Sequence, residues 1–259
     1  MYANYHTHTC RCHHAQGQTK EYVENAVKAG IKILGFSDHV PYPFHNGYVS
    51  HIRMSPEETQ GYVEELHALQ EEYRGQIQIL IGYEAEYYPD EFEGMLKHIG
   101  QYGYDYLILG QHFLKNEYDG YYAGGATDQK ALLEYTDQVI EGLQTGKFLY
   151  LAHPDLVPYR ENEKEYCKQA YRLCEEAKKQ NVPLEINIMG IRENRRYPYE
   201  LFWQIAGEVG NTAVIGLDAH NPKWMQDTDS EEKALALVKR FGLELKRELK
   251  IEKKAKISI

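Results

Sequence analysis

Residues 31–39 read Ile-Lys-Ile-Leu-Gly-Phe-Ser-Asp-His. The apolar run over 31–37, rich in branched and aromatic side chains, predicts a strand, and it ends on two polar residues, Asp38 and His39. The same pattern recurs along the chain. Residues 3–6 end on His6, with His8 just beyond; 77–84 end on Glu84; 104–111 lead into His112. Residues 148–153 end on His153, 183–187 carry Glu185 and Asn187, and 213–218 end on Asp218, with His220 just beyond.

Helical patterns lie between these runs. Ser55-Pro56-Glu57-Glu58 has the form of a capping box with Pro at the first helical position. Tyr62, Leu66, Leu69 and Tyr73 follow at helical spacing as far as Gly75. Thr19 is placed to cap a helix ending at Gly30; Leu132, Thr136, Val139 and Leu143 mark a helix ending near Gly146. Tyr166, Ala170, Leu173 and Ala177 mark another, and Leu201, Phe202 and Ile205 one ending near Gly210. Strands that are apolar throughout, alternating with amphipathic helices, imply an α/β protein with a parallel sheet covered by helices. A closed β/α barrel and an open doubly wound sheet both satisfy this. No G-x-G-x-x-G follows the first strand, and seven strands favour a barrel slightly short of the usual eight.

With 259 residues, 42% of them apolar and 26% charged, the chain can bury a sizeable core without crosslinks. Acidic residues outnumber basic ones 39 to 29, a net charge of −10, which argues against a nucleic-acid-binding surface. The only basic cluster, around Lys246 to Lys256, reads as a solvated tail. No apolar run reaches the roughly 18 residues of a membrane span, so no membrane partner is expected. No basic-then-apolar leader is visible at the start, so the four cysteines, Cys10, Cys12, Cys167 and Cys174, are expected to be reduced thiols in the cytoplasm. Nothing in the sequence sets an oligomeric state.

In a parallel β/α barrel the C-terminal strand ends share one face, and that face carries the chemistry. Of the 12 histidines, His6, His8, His14, His39, His112, His153 and His220 fall at or just after a strand end. Packing alone gives no reason for this recurrence. Imidazoles together with Glu84 and Asp218 suit divalent transition-metal ions such as Zn, Mn or Fe. Nine such donors suffice for two or three ions with room for water.

These residues resemble a known family. His6-Thr7-His8-Thr9, followed by Cys12 and His14, resembles the opening motif of the PHP (polymerase and histidinol phosphatase) metallohydrolases. Ser37-Asp38-His39, Gly82-Tyr83-Glu84, Gly110-Gln111-His112, His153-Pro154-Asp155-Leu156 and Asp218-Ala219-His220 resemble the later motifs, in order, from residue 6 to about residue 222. The Thr9 to His14 stretch and Glu84-Ala85-Glu86-Tyr87 look most like the histidinol-phosphatase members. The resemblance implies a distorted seven-stranded parallel (β/α)7 barrel, TIM-barrel-like, as a single domain over 1–259 with a basic tail at about 246–259. It carries metal-ligand roles onto His6, His8, His14, His39, Glu84, His112, His153, Asp218 and His220, with Glu84 bridging. Two departures leave these ligands intact. Cys10 and Arg11 replace the family's usual Pro and Phe, and Leu217 stands where a Ser commonly precedes Asp-Ala-His.

The expected activity is metal-dependent hydrolysis of a small phosphorylated substrate, L-histidinol phosphate, to L-histidinol and phosphate by a metal-bound hydroxide. The alternatives are another phosphate ester or a nucleotide as substrate, or a metal-binding module without catalysis. No G-x-S-x-G elbow is present, which agrees with a reaction needing no protein nucleophile. A dianionic phosphate invites guanidinium forks, with Arg192 the first choice, Arg160 the second and Arg11 the third. Asp38 either supplies a proton to the leaving group or orients a ligand histidine. Cys10-x-Cys12 either binds metal or packs the pocket, and the long loop from Asp38 to Pro56 is either a lid or an insertion.

Overall fold

The computed structural model describes residues 1–251; residues 252–259, the end of the basic tail, lie outside the described residues. The chain forms two compact units, one of residues 1–107, 217–227 and the segment from Arg247, the other of residues 108–216 and 228–246. In the first, β1 (Ala3–Asn4), β2 (Ile33–His39) and β3 (Gln78–Ala85) pair in parallel; β4 (Tyr106–Leu109), fourth in strand order, begins in the first unit and ends in the second. Helices α1 (Thr19–Lys28), α2 (Thr59–Glu72) and α3 (Phe92–Gly100) connect them.

The second unit opens with a short antiparallel hairpin, β5 (Phe113–Leu114) and β6 (Tyr121–Tyr122). There follow α4 (Gln129–Gln144), α5 (Glu163–Lys179), β7 (Leu184–Asn187), α6 (Ile188–Arg192), α7 (Glu200–Val209), β8 (Thr212–Gly216), α8 (Thr228–Arg240) and β9 (Glu244–Leu245). Strands β7, β8 and β9 are parallel. The α/β class and the parallel pairing therefore match the sequence pattern. Among the described residues, no helix is long and apolar enough to cross a membrane.

The segment expected as a strand over 148–153 contributes only bridges at Leu151, parallel to Leu109 on one side and Leu184 on the other. The pairing stops for local reasons. Pro183 has no N–H to offer, and the N–H of His153 turns to the Glu185 carboxylate (3.1 Å) rather than to a neighbouring strand.

The helical stripes pack as their spacing predicts. Tyr62, Leu66 and Leu69 of α2, Leu132, Thr136, Val139 and Leu143 of α4, and Tyr166, Ala170, Leu173 and Ala177 of α5 are all buried. Each fully buried large apolar side chain contributes about 1.5–3 kcal/mol. The Ser55–Glu58 box forms, with the Glu58 carboxylate accepting the Ser55 N–H at 2.8 Å. Helix α1 starts one residue earlier than Thr19 suggested, since Glu21 accepts the N–H of Gln18 at 2.6 Å. It stops in a Schellman turn: Gly30 takes a φ of 77°, its N–H reaches Val27 O, and the Ile31 N–H reaches Ala26 O. That reversal feeds the chain directly into β2. Asn181 (φ 55°) does the same between α5 and β7, with the Val182 N–H on Ala177 O.

One aromatic sets the level of the strand ends in the first unit. Tyr106 crosses under β2 and β3, its hydroxyl donating to Tyr5 O at 2.8 Å and Phe36 O at 3.2 Å. There is room for the ring only because Gly82 lacks a side chain: a Cβ there would lie 2.5 Å from two Tyr106 ring carbons. Gly82 stands two residues before Glu84, so its fit controls where that carboxylate emerges. Gly82→Ala is expected to destabilise the fold by about 1–3 kcal/mol through overpacking, measured by urea unfolding; an unchanged midpoint and slope would show that Tyr106 does not lock the two strands.

Candidate metal centre

The first unit gathers polar residues at the C-terminal ends of β1, β2 and β3. Register places His39 opposite Glu84, and the His39 Nδ1 lies 3.2 Å from the Glu84 Oε2. Beyond β1 the chain stays tied to its neighbours through Thr7, whose carbonyl accepts the Ser37 N–H at 2.8 Å and whose backbone bridges Ala219 in parallel. His8 N donates to Ala219 O and Ala219 N to His6 O. Residues 6–8, 37–39 and 218–220 are thus laced together by main-chain bonds.

The acids sit inside a ring of imidazoles. His6 Nε2 is 3.4 Å from Glu84 Oε2 and 3.6 Å from Asp218 Oδ1. His8 Nε2 is 3.5 Å from Glu84 Oε2 and 3.3 Å from Asp218 Oδ1. His220 Nδ1 is 3.3 Å from Asp218 Oδ1. The His8 and His220 rings stack with centroids 4.0 Å apart, His39 lies 4.6 Å from His8, and His14 lies 4.8 Å from His220. His6, His8, His39, Glu84 and Asp218 are buried, His220 is half-buried and His14 is exposed.

Asp38 holds His8 from behind. Its Oδ2 accepts both the N–H (3.1 Å) and the hydroxyl of Thr9, its Oδ1 accepts the His39 N–H at 2.9 Å, and Oδ1 faces His8 Nδ1 at 3.4 Å. A carboxylate behind one ring nitrogen fixes the tautomer and turns the other nitrogen toward Glu84 and Asp218.

The electrostatics of this cluster are strained when only protein charges are counted. Burial disfavours charge on His8, yet Asp218, Asp38 and Glu84 raise its pKa to about 9. Burial also opposes ionisation of Asp218, but His6, His8 and His220 hold its carboxyl well below the usual range. Burial and the neighbouring His8 charge lower His220. Buried acids close to several imidazoles, which cannot all charge together, form a donor set suited to divalent cations. The triplets His6–His8–Glu84 and His8–His39–His220 each place their donor atoms within 4.8 Å of one another.

The second unit holds the remaining expected residues. His112 and His153 stand with ring centroids 4.8 Å apart. His153 adopts a left-handed φ of 30°, secured by Glu185 at its N–H and by Leu156 N and the Tyr135 hydroxyl at its carbonyl. Glu185 is fully buried and also accepts from Asn187 Nδ2 at 3.0 Å. Asn187 Oδ1 in turn caps α6 through the Gly190 N–H, and α6 ends at the half-buried Arg192.

Arg160 is held differently. Its guanidinium donates to the carbonyls of Tyr159 and Arg196 and lies 3.3 Å above the centre of the Tyr199 ring. Arg11 pairs with Glu65 at 2.6 Å.

Sequence reasoning passed over Asn4 and Thr9. The Asn4 amide is fully buried and makes four bonds: Nδ2 donates to His6 O and Thr7 Oγ1, and Oδ1 accepts from His6 N and Leu217 N. This is the full capacity of an amide side chain. The signal was available as an Asn inside an apolar strand two residues before a ligand-type histidine.

The chain is similar to known proteins. The model of the PHP domain family matches residues 4–188, and the chain belongs to that family. It is 29% identical over 231 residues to a Deinococcus radiodurans protein named probable histidinol-phosphatase, covering 84% of this chain and 85% of that one. A Schizosaccharomyces pombe protein of the same name is 25% identical over 245 residues, covering 84% and 80%. The crystal structure of histidinol phosphate phosphatase from Lactococcus lactis, complexed with zinc, L-histidinol and phosphate, superposes with a TM-score of 0.75 at 21% identity, covering 97% of this chain and 99% of that one. That likeness establishes a shared fold.

Asn4→Ala removes four bonds in a buried place and leaves backbone groups unsatisfied. A loss of about 2–4 kcal/mol in unfolding free energy is expected, read from denaturant titration. A loss below about 0.5 kcal/mol, the range of ordinary surface substitutions, would show that the strand ends are held without it.

Proposed function

We propose that this chain is a metal-dependent phosphomonoesterase that hydrolyses L-histidinol phosphate to L-histidinol and phosphate. The observation that carries this reading is the pair Glu84 and Asp218, ringed by nitrogens of His6, His8, His39 and His220 at 3.2–3.6 Å. The substrate comes from the relatives named probable histidinol-phosphatase and from the Lactococcus lactis structure with zinc, L-histidinol and phosphate.

We assign His6, His8, His14, His39, Glu84, His112, His153, Asp218 and His220 as ligands of two or three divalent ions of the Zn, Mn or Fe class, on a single PHP-type (β/α)7 barrel in which the Leu151 segment serves as the fifth strand. The bound ions would supply activated water and offset the charge on the phosphoryl oxygens. The side chains do the rest. Glu84 and Asp218 provide the anionic donors, and Asp38 positions His8 rather than acting as a proton donor, because Thr9 and the His39 N–H already occupy both of its oxygens. Arg192, carried on the Asn187-capped α6, is the guanidinium assigned to the phosphate. Arg160 is assigned a structural role by its stacking on Tyr199.

Released phosphate measured over a panel of esters tests the substrate. Histidinol phosphate is expected to exceed a generic aryl phosphate, with activity lost on chelation and regained with Zn, Mn or Fe. Equal turnover of the two esters would overturn the assignment.

Glu84→Gln is expected to lower both bound metal and rate. Outer partners of metal ligands are worth about 10–100-fold, so loss of a bridging ligand should exceed that range. Full metal loading with unchanged kcat/KM would remove Glu84 from the centre. Arg192→Ala is expected to raise KM at constant metal content, with kcat/KM falling by about 1.5–3 kcal/mol, the worth of hydrogen bonds to a charged group. Unchanged kinetics would take Arg192 out of the site.

A further inference from the structure

Cys12 is one of the side chains that the proposed ligand set leaves out. It is fully buried, whereas Cys10, at the other end of the same short turn, is exposed. Thr9 caps that turn through the Arg11 N–H, and His13 closes it in the left-handed region with a φ of 67°. The reversal at His13 brings His14 back over Cys12, so that His14 Nδ1 lies 2.6 Å from the Cys12 carbonyl oxygen. A carbonyl only accepts, so Nδ1 carries the proton and the His14 lone pair sits on Nε2.

His220 is arranged in the same way. Its Nδ1 lies 3.3 Å from the Asp218 carbonyl oxygen, and its buried Nε2 makes no hydrogen bond. The Cys12 Sγ and ring nitrogens of His14 and His220 all lie within 4.8 Å of one another, and Sγ lies within the same distance of donors on His8 and Asp38. Three donors around one tetrahedral zinc stand roughly 3.3–3.7 Å apart, inside the 4.8 Å that bounds these side chains. The Ala15 N–H donates to Sγ at 3.3 Å.

We infer that Cys12 is itself a metal ligand, completing with His14 and His220 an S,N,N site for a soft divalent cation of the zinc class at the outer edge of the histidine cluster. The inference rests on the metal-centre reading above and adds to it a sulfur donor. On binding, the S–H bond breaks, its proton leaves to solvent, and the thiolate pair forms the bond to the cation. A thiolate donor selects zinc, cobalt or iron over magnesium and calcium at this position, whereas an all-imidazole and carboxylate centre discriminates less.

The test uses the full chain exchanged with cobalt(II), with bound cobalt counted by elemental analysis. A sulfur-to-cobalt charge-transfer band is expected in the near ultraviolet. It should persist in Cys10→Ser and vanish in Cys12→Ser, with less cobalt bound per chain and a circular dichroism spectrum like that of the parent. Cobalt bound in full without the band, or a band surviving in Cys12→Ser, overturns the assignment of Cys12 and leaves the imidazole–carboxylate centre standing. No cobalt bound at all overturns both readings. If Cys12→Ser does not fold, the triple variant Cys10→Ser, Cys167→Ala, Cys174→Ala keeps Cys12 as the sole thiol: the band in that protein supports the assignment, and its absence with cobalt bound overturns it.

Discussion

Carboxylates removed from water at the strand ends of the first unit are the constraint on which the site depends. Asp38, Glu84 and Asp218 are at most 2% exposed. A buried carboxylate needs a nearby positive charge or several donors, or it takes up a proton instead. Asp38 meets this locally, through Thr9 and the His39 N–H. Glu84 and Asp218 meet it through imidazoles, and imidazoles packed ring on ring oppose one another's charging: burial first, and then the neighbouring His8, lower the pKa of His220. Divalent cations relieve the acids without requiring the rings to be protonated. Under the proposed metal reading, bound ions would offset this buried charge, and metal binding to such a centre would contribute to folding stability as well as to chemistry.

Backbone register delivers the acids to this place. A slip of one residue between β2 and β3 would take Glu84 away from His39 and turn it to the opposite face. Tyr106, lodged against Gly82 and bonded to Phe36 O, opposes that slip, while Asn4, bonded to His6, Thr7 and Leu217, ties the end of β1 to the segment that carries Asp218. Non-glycine residues with positive φ occur at Asp218 (46°) in the first unit and at His153 (30°) in the second. Backbone strain of this kind costs on the order of 1–3 kcal/mol per residue and persists where surrounding bonds over-determine it. Both residues have those bonds: Ala219 N to His6 O beside Asp218, and Glu185 at His153.

How much of this was legible in the sequence depended on the range of the interaction concerned. Helices α2, α4 and α5 were readable because a stripe of one residue per turn is a local property. Strands β2 and β3 were readable because they are long and apolar, and the recurrence of His, Asp and Glu at their ends pointed to the residues that gather there. The Leu151 segment looked like a strand but pairs through a single residue, since what limits it is a proline and an acid supplied by the next segment. Two-residue strands such as β5, β6 and β9 carry no periodicity at all. The partners of charged residues were the least legible, since Tyr199 beside Arg160 and Glu65 beside Arg11 are distant in sequence.

The buried pair Arg53–Glu86 shows the same logic from the other direction. Glu86 lies two residues beyond Glu84, just after the end of β3 and wholly buried, and Arg53 binds it through two bonds of 3.0 and 3.1 Å. Without Arg53, a second buried acid would stand beside the strand end that supplies Glu84. Such pairs add little net stability against an apolar alternative, but removing one partner leaves an unmatched charge and costs about 3–5 kcal/mol. Arg53 also donates to Val40 O, and Val40, Tyr42, Phe44 and Met54 of the same loop are buried. The two ends of the loop after His39 are thus anchored, while His45 to Gly47, Val49 and His51 between them are exposed.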